Sequence, residues 1–279
     1  MEKRTVLIAT DFSEASRNAI RYGLGLYQGR GYHYILLNTV EPNTASSNAG
    51  MIVNVSEIMA KDSLEGLKKE KAWVESLPEN EGNTLETVQM FGEFVSCVRQ
   101  IIKDKNIDMV IIGTTGASGL KEFFVGSNAA SVIQEISIPV LTVPFQADFN
   151  SIKNILYATD LKKLKNRSIL DFLKNLMERR GASMTLLNVV KTQSKVSASD
   201  KEEEKQALLD YLGSEVGFET VSNEDTVEGI NAYIEERGNV DIIAMVPRKK
   251  NFFEKIFSKS IAKKVAYHSR IPMLTLQDG

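Results

Sequence analysis

The sequence is built from two copies of one pattern. Four short segments occur twice in the 279 residues, and they follow the same order in each half. The pairs are TVLIATD (5–11) with NILYATD (154–160), ILLNTV (35–40) with TLLNVV (185–190), NIDMVIIG (106–113) with NVDIIAMV (239–246), and SIPVLTV (137–143) with RIPMLTL (270–276). Because each half carries the whole series, we predict two domains of about 140 residues, an ordinary domain size. The predicted domains are 1–146 and 150–279, with the boundary in PFQADFNSIK (144–153).

Apolar segments alternate with helix-like segments in each half. In the first half the apolar segments read TVLIAT, YILLNTV, LETVQM, DMVIIGT and PVLTV. Near-continuous apolar runs are typical of strands that helices cover on both faces, and the alternation favours parallel pairing through right-handed crossovers. The pattern therefore predicts an α/β protein with two tandem Rossmann-like, or flavodoxin-like, domains. Each domain is expected to hold an open five-stranded, mostly parallel sheet with helices on both faces.

Two local predictions concern the second helix of each half. In the first half, the segment EPNTASSNAGMIVNVSE is predicted to be an irregular insert, followed by a helix over 57–77. In the second half, SDKE is typical of a capping box in which Ser199 caps the helix and Glu202 reaches back to it. The acidic run that ends at Glu204 then indicates a solvated helix face.

Composition and charge exclude several classes of protein. A formal net charge of −2 and a pI near 5.9 do not favour binding to nucleic acid or to an anionic membrane. The single cysteine, Cys97, excludes an intramolecular disulfide, and its place in an apolar helix stripe predicts a core residue. No stretch approaches the roughly 20 apolar residues of a membrane helix, and the first apolar run is too short for a signal peptide. We therefore expect a cytoplasmic protein with no nucleic-acid partner and no membrane partner.

A glycine-rich segment, GTTGASGLKEFFVGS, follows the fourth predicted strand of the first half. Its glycines allow a close approach of the backbone that a Cβ would block. Gly126-Ser127 directly precedes the last helix of this half, where unpaired N–H groups and the positive end of the helix dipole suit phosphate. The first and fourth strands of an open sheet end at the same crevice, so Thr10-Asp11 is expected to face this loop. The sequence therefore predicts a nucleotide site here.

The loop matches neither the Walker spacing nor the G-x-G-x-x-G of dinucleotide folds. Its G-2x-G-9x-G-S spacing, together with IATDFSEAS and LLNTVEP, resembles the universal stress protein family in a tandem form. The resemblance covers both halves, and its motif is intact in the first half. It implies ATP binding, usually with Mg²⁺, by a stress-tolerance or regulatory protein that often dimerises. In ATP-binding members the residues matching Asp11 and Val40 contact the adenosine end. The nucleotide-binding residues predicted in this way are Thr10, Asp11, Val40, Gly113, Gly116, Gly126 and Ser127.

The second half departs from this motif. Its matching loop, AMVPRKKNFFEKIFSKS (244–260), contains no glycine, and Lys259-Ser260 stands in place of Gly126-Ser127, although Asp160 is retained. The second half is therefore predicted to be a degenerate domain that binds no nucleotide. One alternative is that its basic residues bind an anion by charge, and another is that they form a solvated basic surface. These residues are Arg248, Lys249, Lys250 and Lys259.

Three functions remain open at this stage. The favoured one is an ATP-binding regulatory or stress-tolerance protein with one site in the first half, and the others are a slow ATPase and a nucleotide-free interaction scaffold. No catalytic residue and no metal ligand can be assigned: His33 and His268 lie in different halves, and Trp73 indicates packing rather than ligand stacking. Adenine nucleotide is the expected partner. The strands PVLTV and PMLTL are expected to bring the two halves together as an intramolecular pseudo-dimer, and a homodimer is left open.

Overall fold

The computed structural model describes residues 4–28, 31–41, 49–114, 127–149, 151–191, 198–247 and 270–278. These residues form two compact units, which we call unit 1, ending at Ala147, and unit 2, beginning at Asp148.

Unit 1 contains one five-stranded parallel sheet. Its strands are β1 (Thr5–Ala9), β2 (His33–Val40), β3 (Thr84–Phe91), β4 (Met109–Thr114) and β5 (Val140–Pro144). They lie in the order β3-β2-β1-β4-β5, and each neighbouring pair is parallel. The order reverses at β1, which pairs with both β2 and β4. Strands β1, β4 and β5 are almost wholly buried, which explains their continuous apolar sequences.

Unit 1 has four α-helices among its described residues, and two of them begin at identifiable capping residues. The four helices are α1 (Glu14–Leu26), α2 (Ala49–Glu75), α3 (Phe94–Lys105) and α4 (Ser127–Glu135). Ser13 caps α1 by accepting a hydrogen bond from the Ser16 N–H, and Glu93 caps α3 by accepting bonds from Val95 and Ser96. Helix α3 ends at Asn106, which adopts the left-handed conformation that stops a helix.

Helix α2 corrects one prediction. It begins at Ala49, whereas the sequence predicted irregular structure up to the helix at 57–77. Gly50 and the β-branched residues that follow it favoured a non-helical interpretation, because both have low helix propensity. In a folded protein most of the stability of a helix comes from packing of one of its faces. Tertiary packing can therefore override these propensities.

Unit 2 repeats the same sheet. Its strands are β6 (Asn154–Ala158), β7 (Ser183–Val190), β8 (Val216–Ser222), β9 (Ile242–Met245) and β10 (Met273–Thr275). They lie in the order β8-β7-β6-β9-β10, again with parallel neighbours. The helices found among its described residues are α5 (Asp171–Arg180), α6 (Ala198–Leu212) and α7 (Thr226–Arg237). The predicted fold class, two tandem Rossmann-like α/β domains, is confirmed.

The start of α6 differs from the predicted capping box. The helix begins at Ala198, so Ser199 lies inside its first turn and is not the cap. The Glu202 carboxylate instead pairs with Lys205 one turn later, at 3.0 Å. The expectation of a solvated acidic face is wrong for Glu204, whose side chain is only 4% exposed.

The core of each unit lies between its sheet and its helices. Cys97 is buried in α3 beside Val98 and Ile101, which confirms its predicted place in the core. Across the described ranges, no helix has the length and apolar character needed to cross a membrane.

Candidate functional site

The predicted site lies at the carboxyl edge of the sheet in unit 1. Ala9, the last residue of β1, is in register with Leu37 of β2 and with Ile112 of β4. The residues that follow these positions therefore leave the sheet at one edge. Asp11 and Gly113 share this edge, as the sequence predicted from the strand order, and Val40 at the end of β2 lies at the same edge.

The turn after β1 is held by a network around Thr10. The Thr10 N–H donates to the Leu37 carbonyl at 2.9 Å, and the Thr10 carbonyl accepts from Asn38 Nδ2 at 2.7 Å. Its hydroxyl oxygen accepts from the Phe12 N–H at 3.1 Å, and Phe12 adopts a positive φ of 65°. Thr10 is buried, so its contribution to a site is to fix the turn that presents Asp11.

One of the two carboxylate oxygens of Asp11 accepts hydrogen bonds from Ser13. Oδ1 accepts hydrogen bonds from the Ser13 N–H at 3.0 Å and from the Ser13 hydroxyl at 2.5 Å. No hydrogen bond from a described residue reaches Oδ2, and the side chain is exposed. Partial burial of the carboxyl group acts to raise the pKa of Asp11, but hydrogen bonds from Ser13, from the Ser16 side chain and from its own backbone together lower that pKa below the ordinary value. Asp11 is therefore an ionised acceptor with an open oxygen at neutral pH.

Gly113 is required by a close contact within unit 1. A Cβ at this position would lie 2.6 Å from the carbonyl oxygen of Ala15 and 3.1 Å from the N–H nitrogen of Ser16. The first turn of α1 thus packs directly against the backbone of β4. The sequence predicted that Gly113 allows a close approach of phosphate, whereas its close neighbour in the described structure is the backbone of α1.

The remaining predicted residues are placed as follows. Val40 ends β2 with a buried side chain, and its carbonyl accepts from the Gly92 N–H at 3.0 Å. Ser127 is the first residue of α4 and is exposed, at the helix start where the sequence placed it. Gly116 and Gly126 lie outside the described residues.

Unit 2 builds the same turn after β6. The Thr159 N–H donates to the Leu187 carbonyl at 2.9 Å, and the Thr159 carbonyl accepts from Asn188 Nδ2 at 2.8 Å. Leu161 donates its N–H to the Thr159 hydroxyl at 3.1 Å and has a φ of 53°. The matching bonds in unit 1 differ by no more than 0.1 Å, so this turn belongs to the shared architecture of the two units.

The carboxylates at the two turns differ in their partners. Asp160 Oδ1 accepts from the Lys162 N–H at 3.1 Å, as Asp11 does from Ser13. The Asp160 Oδ2 atom, however, lies 3.4 Å from the Lys162 ammonium group. In unit 2 a lysine therefore pairs with the aspartate after the central strand, whereas no described basic side chain pairs with Asp11 in unit 1.

A buried ion pair supports the first helix in each unit, and sequence reasoning missed both pairs. In unit 1, Arg17 Nε lies 3.1 Å from Glu70, whose side chain is 1% exposed. In unit 2, an Arg167 guanidinium nitrogen lies 2.6 Å from Glu204, which is 4% exposed. Burial raises the pKa of Glu70, while Arg17 acts in the opposite direction. The available signal was an arginine shortly after the Ala-Thr-Asp segment of each half, six residues after Asp11 and seven residues after Asp160.

The other sequence candidates have structural roles where they are described. His33 Nδ1 lies 2.8 Å from the Thr84 hydroxyl, and its other ring nitrogen is 3.4 Å from Glu86, on neighbouring strands. Trp73 stacks with two arginines. Among the described residues, no group of three or more His, Cys, Asp or Glu side chains could hold a metal. His268 and the four basic residues proposed for anion binding lie outside those residues.

Comparison with known sequences identifies the family. A model of the universal stress protein family matches residues 3–144 and again residues 151–277. The two matches span most of the chain, so the chain belongs to the universal stress protein family, in a tandem form with two family domains. The resemblance seen in the sequence is confirmed.

Relatives and solved structures agree with this assignment. A universal stress protein of Methanocaldococcus jannaschii is 27% identical over 142 residues, which is 50% of this chain and 81% of that protein. A universal stress protein of Bacillus subtilis is 30% identical over 149 residues, covering 50% of this chain and 97% of that protein. The crystal structure of a universal stress protein from Archaeoglobus fulgidus superposes with a TM-score of 0.70 at 18% identity, and the match covers 100% of both chains. At that identity the likeness shows the fold.

Proposed function

We propose that the chain is an ATP-binding regulatory or stress-tolerance protein with one nucleotide site, in unit 1. The observation that carries the proposal is the ionised Asp11 carboxylate, whose Oδ2 atom no described residue occupies, at the edge where the sheet order reverses. Ligands of open α/β sheets bind at such a reversal. A carboxylate there is suited to accept hydrogen bonds from ribose hydroxyl groups.

The phosphates would lie on the other side of this crevice. The glycine-rich segment between Gly113 and Ser127 supplies backbone N–H groups, and α4 begins at Ser127 with the positive end of its dipole. Mg²⁺ commonly keeps several waters and binds through one or two carboxylates plus substrate phosphates. Asp11 would supply one such carboxylate, through its Oδ2 atom.

Two features of unit 2 oppose nucleotide binding there. The Lys162 ammonium group already neutralises Asp160, at 3.4 Å. The position that matches Gly113 is occupied by Val246, because Met245 pairs with Ala158 as Ile112 pairs with Ala9. A branched side chain there would prevent the close backbone contact that unit 1 makes.

Mass analysis of the ligand released from denatured, purified protein tests the proposal. We expect adenine nucleotide from the wild type and none from Gly126→Val, whose branched side chain would fill space that the phosphates need. A variant that folds like the wild type and still retains nucleotide would contradict the proposed phosphate site. Wild-type protein that neither retains nor binds nucleotide would favour the interaction scaffold.

A slow ATPase is the second candidate function, on the same site. The segment 113–127 contains one basic residue, Lys121, and no arginine, so it offers little charge to stabilise a transferring phosphoryl group. We therefore expect phosphate release far below the ~1–10³ per second of typical enzymes. Robust Mg²⁺-dependent turnover that Gly126→Val loses would establish the enzyme instead.

The quaternary arrangement and the location of the protein stay predictions. Sedimentation of the whole chain would distinguish a monomer, with an intramolecular pseudo-dimer of its two halves, from a homodimer. A cytoplasmic location is likewise expected from the sequence.

A further inference from the structure

Unit 1 contains a cavity of about 230 Å³ beside the outer face of α1. Four of its lining residues recur along α1 at helical spacing, one comes from α2, and one follows β5. They are Glu14, Arg17, Asn18, Arg21, Trp73 and Phe145. The cavity extends from Glu14, at the start of α1, to Phe145, whose N–H donates to the Thr114 carbonyl at 3.1 Å.

Two arginines stack on the single tryptophan in this cavity, but their hydrogen-bonding states differ. The guanidinium carbons of Arg17 and Arg21 lie 5.4 Å and 5.3 Å from the centre of the Trp73 ring. Arg17 donates to Glu70 at 3.1 Å and to Glu14 at 3.4 Å, so its charge is paired. Arg21 is exposed and, within the part of the chain that the structure describes, has no carboxylate partner.

The position of Arg21 over the Trp73 ring leaves its guanidinium group available to an anion. An arginine guanidinium is planar and carries its N–H donors in a rigid fork. Such a planar fork matches a carboxylate in a bidentate arrangement. Because Trp73 restricts the side chain, less conformational entropy is lost when a ligand binds.

An apolar surface lies next to this donor group. Phe145 is 52% exposed. Its segment is tied to α1 because Asn18 Nδ2 donates to the carbonyls of Pro144 and Ala147, each at 2.9 Å. The phenyl ring is therefore presented at a fixed place in the cavity and is not part of a loose tail.

Size and charge restrict the ligand. Pockets for drug-sized ligands enclose ~300–1,000 Å³, so a cavity of about 230 Å³ suits a smaller molecule. The exposed Glu14 carboxylate also lines the cavity and would repel a multiply charged anion such as phosphate. A monoanion with a flat apolar body satisfies both restrictions.

We propose that this cavity binds a small planar organic carboxylate, with Arg21 holding the carboxylate group and Phe145 contacting the apolar body. Unit 2 provides a contrast. When Arg17 is matched with Arg167, Arg21 falls on Asp171, whose carboxylate accepts the Tyr211 hydroxyl at 2.5 Å. An arginine available to an anion is therefore found at this position in unit 1 and not in unit 2.

Benzoate is a direct probe of this site. Trp73 is the only tryptophan in the chain, so its fluorescence reports on the cavity without interference from another indole. We expect a saturable change of Trp73 emission on titration with benzoate and no such change with benzamide, the neutral analogue. Loss of a charge-assisted hydrogen bond corresponds to roughly a tenfold or greater effect, so Arg21→Gln should weaken benzoate binding by about tenfold or more.

A control variant and a second measurement make the test decisive. Arg99→Gln removes another exposed arginine of unit 1, one that pairs with Glu135, and should bind benzoate like the wild type. Equilibrium dialysis of benzoate against the same three proteins measures binding independently of fluorescence. The proposal fails if the wild type does not bind benzoate saturably, if Arg21→Gln binds equally well, or if inorganic phosphate competes as effectively as benzoate.

Discussion

Units 1 and 2 have the same sheet topology and the same turn after the central strand, but they differ at the edge where a ligand would bind. Both place a threonine, an aspartate and a residue of positive φ after the central strand, and both fasten this turn with an asparagine from the neighbouring strand. Both also bury a glutamate against an arginine of the first helix region. Features that persist in both units are explained by the fold alone. Features found only in unit 1 are the ones that need a functional explanation.

The clearest difference is the start of the first helix. In unit 1, α1 begins at Glu14, upstream of Arg17. In unit 2, a short 3₁₀ helix begins only at Arg167 and α5 follows from Asp171. Unit 2 also has Val246 at the position of Gly113, where a side chain in unit 1 would meet the first helical turn. In unit 2 the Leu164 N–H, in the segment before the helix, donates instead to Glu204, at 3.4 Å.

The largest expected effect comes from breaking the shared ion pairs. Arg17→Met and Arg167→Met should each lower the free energy of unfolding by about 3 kcal/mol. This is the low end of the range for a buried pair, because the arginine side chains are 37% and 30% exposed. Chemical denaturation measures both variants. Similar losses would confirm a shared structural role, whereas a loss confined to Arg17→Met would contradict it.

The loss in Arg17→Met should also depend on pH. Burial raises the pKa of Glu70, so its contribution to stability is fully present below the ordinary glutamate pKa of 4.5 and declines as pH rises through the folded-state value. Removing the Arg17 charge raises that folded-state pKa further. The variant should therefore resemble the wild type most closely near pH 4–5 and differ most at pH 7. In Glu70→Gln, this part of the pH dependence should be absent from denaturation curves.

A smaller effect is expected from a change at Gly113 in β4, the position at which unit 2 has Val246. Gly113→Ala should destabilise the protein by about 1–3 kcal/mol, because its Cβ would meet backbone atoms of Ala15 that cannot move without shifting α1. It should also weaken nucleotide binding. The matched control is Gly217→Ala in β8, where the nearest atom to a Cβ is 3.9 Å away. Equal thermal stability of the two variants would show that the contact with α1 is unimportant.

The smallest effect concerns the two aspartates. Asp11→Asn keeps the oxygen that accepts from Ser13 but removes the charge, so ATP affinity should fall about tenfold, or about 1.4 kcal/mol. Asp160→Asn should leave ATP affinity unchanged, since its carboxylate already pairs with Lys162. Calorimetric titration of both variants provides the comparison, and an equal loss in both would place nucleotide in both units.

Sequence reasoning predicted the strands well because buried parallel strands have continuous apolar sequences. The duplication added a second copy of each signal, and the common order of doubly wound sheets predicted the shared edge for Asp11 and Gly113. The long helix α2 was misplaced at its beginning, since Gly50 and its β-branched neighbours oppose helix formation locally while packing of the whole helix decides the outcome.

Contacts between segments that lie far apart in the chain could not be predicted from the sequence. Glu70 and Glu204 look like ordinary surface glutamates until α2 and α6 are placed against their arginines. The arrangement of Arg21 on Trp73 likewise depends on how α1 and α2 pack. The sequence did show that Gly113 needs a close neighbour, but the neighbour in the described structure is α1.

The stoichiometry of ATP binding tests the central claim most directly. Calorimetry of the whole chain, first freed of any retained nucleotide, should give one equivalent of ATP per chain, and Gly126→Val should reduce this to none. Two equal sites per chain would contradict the account, because unit 2 would then bind nucleotide despite Val246 and the Lys162–Asp160 pair.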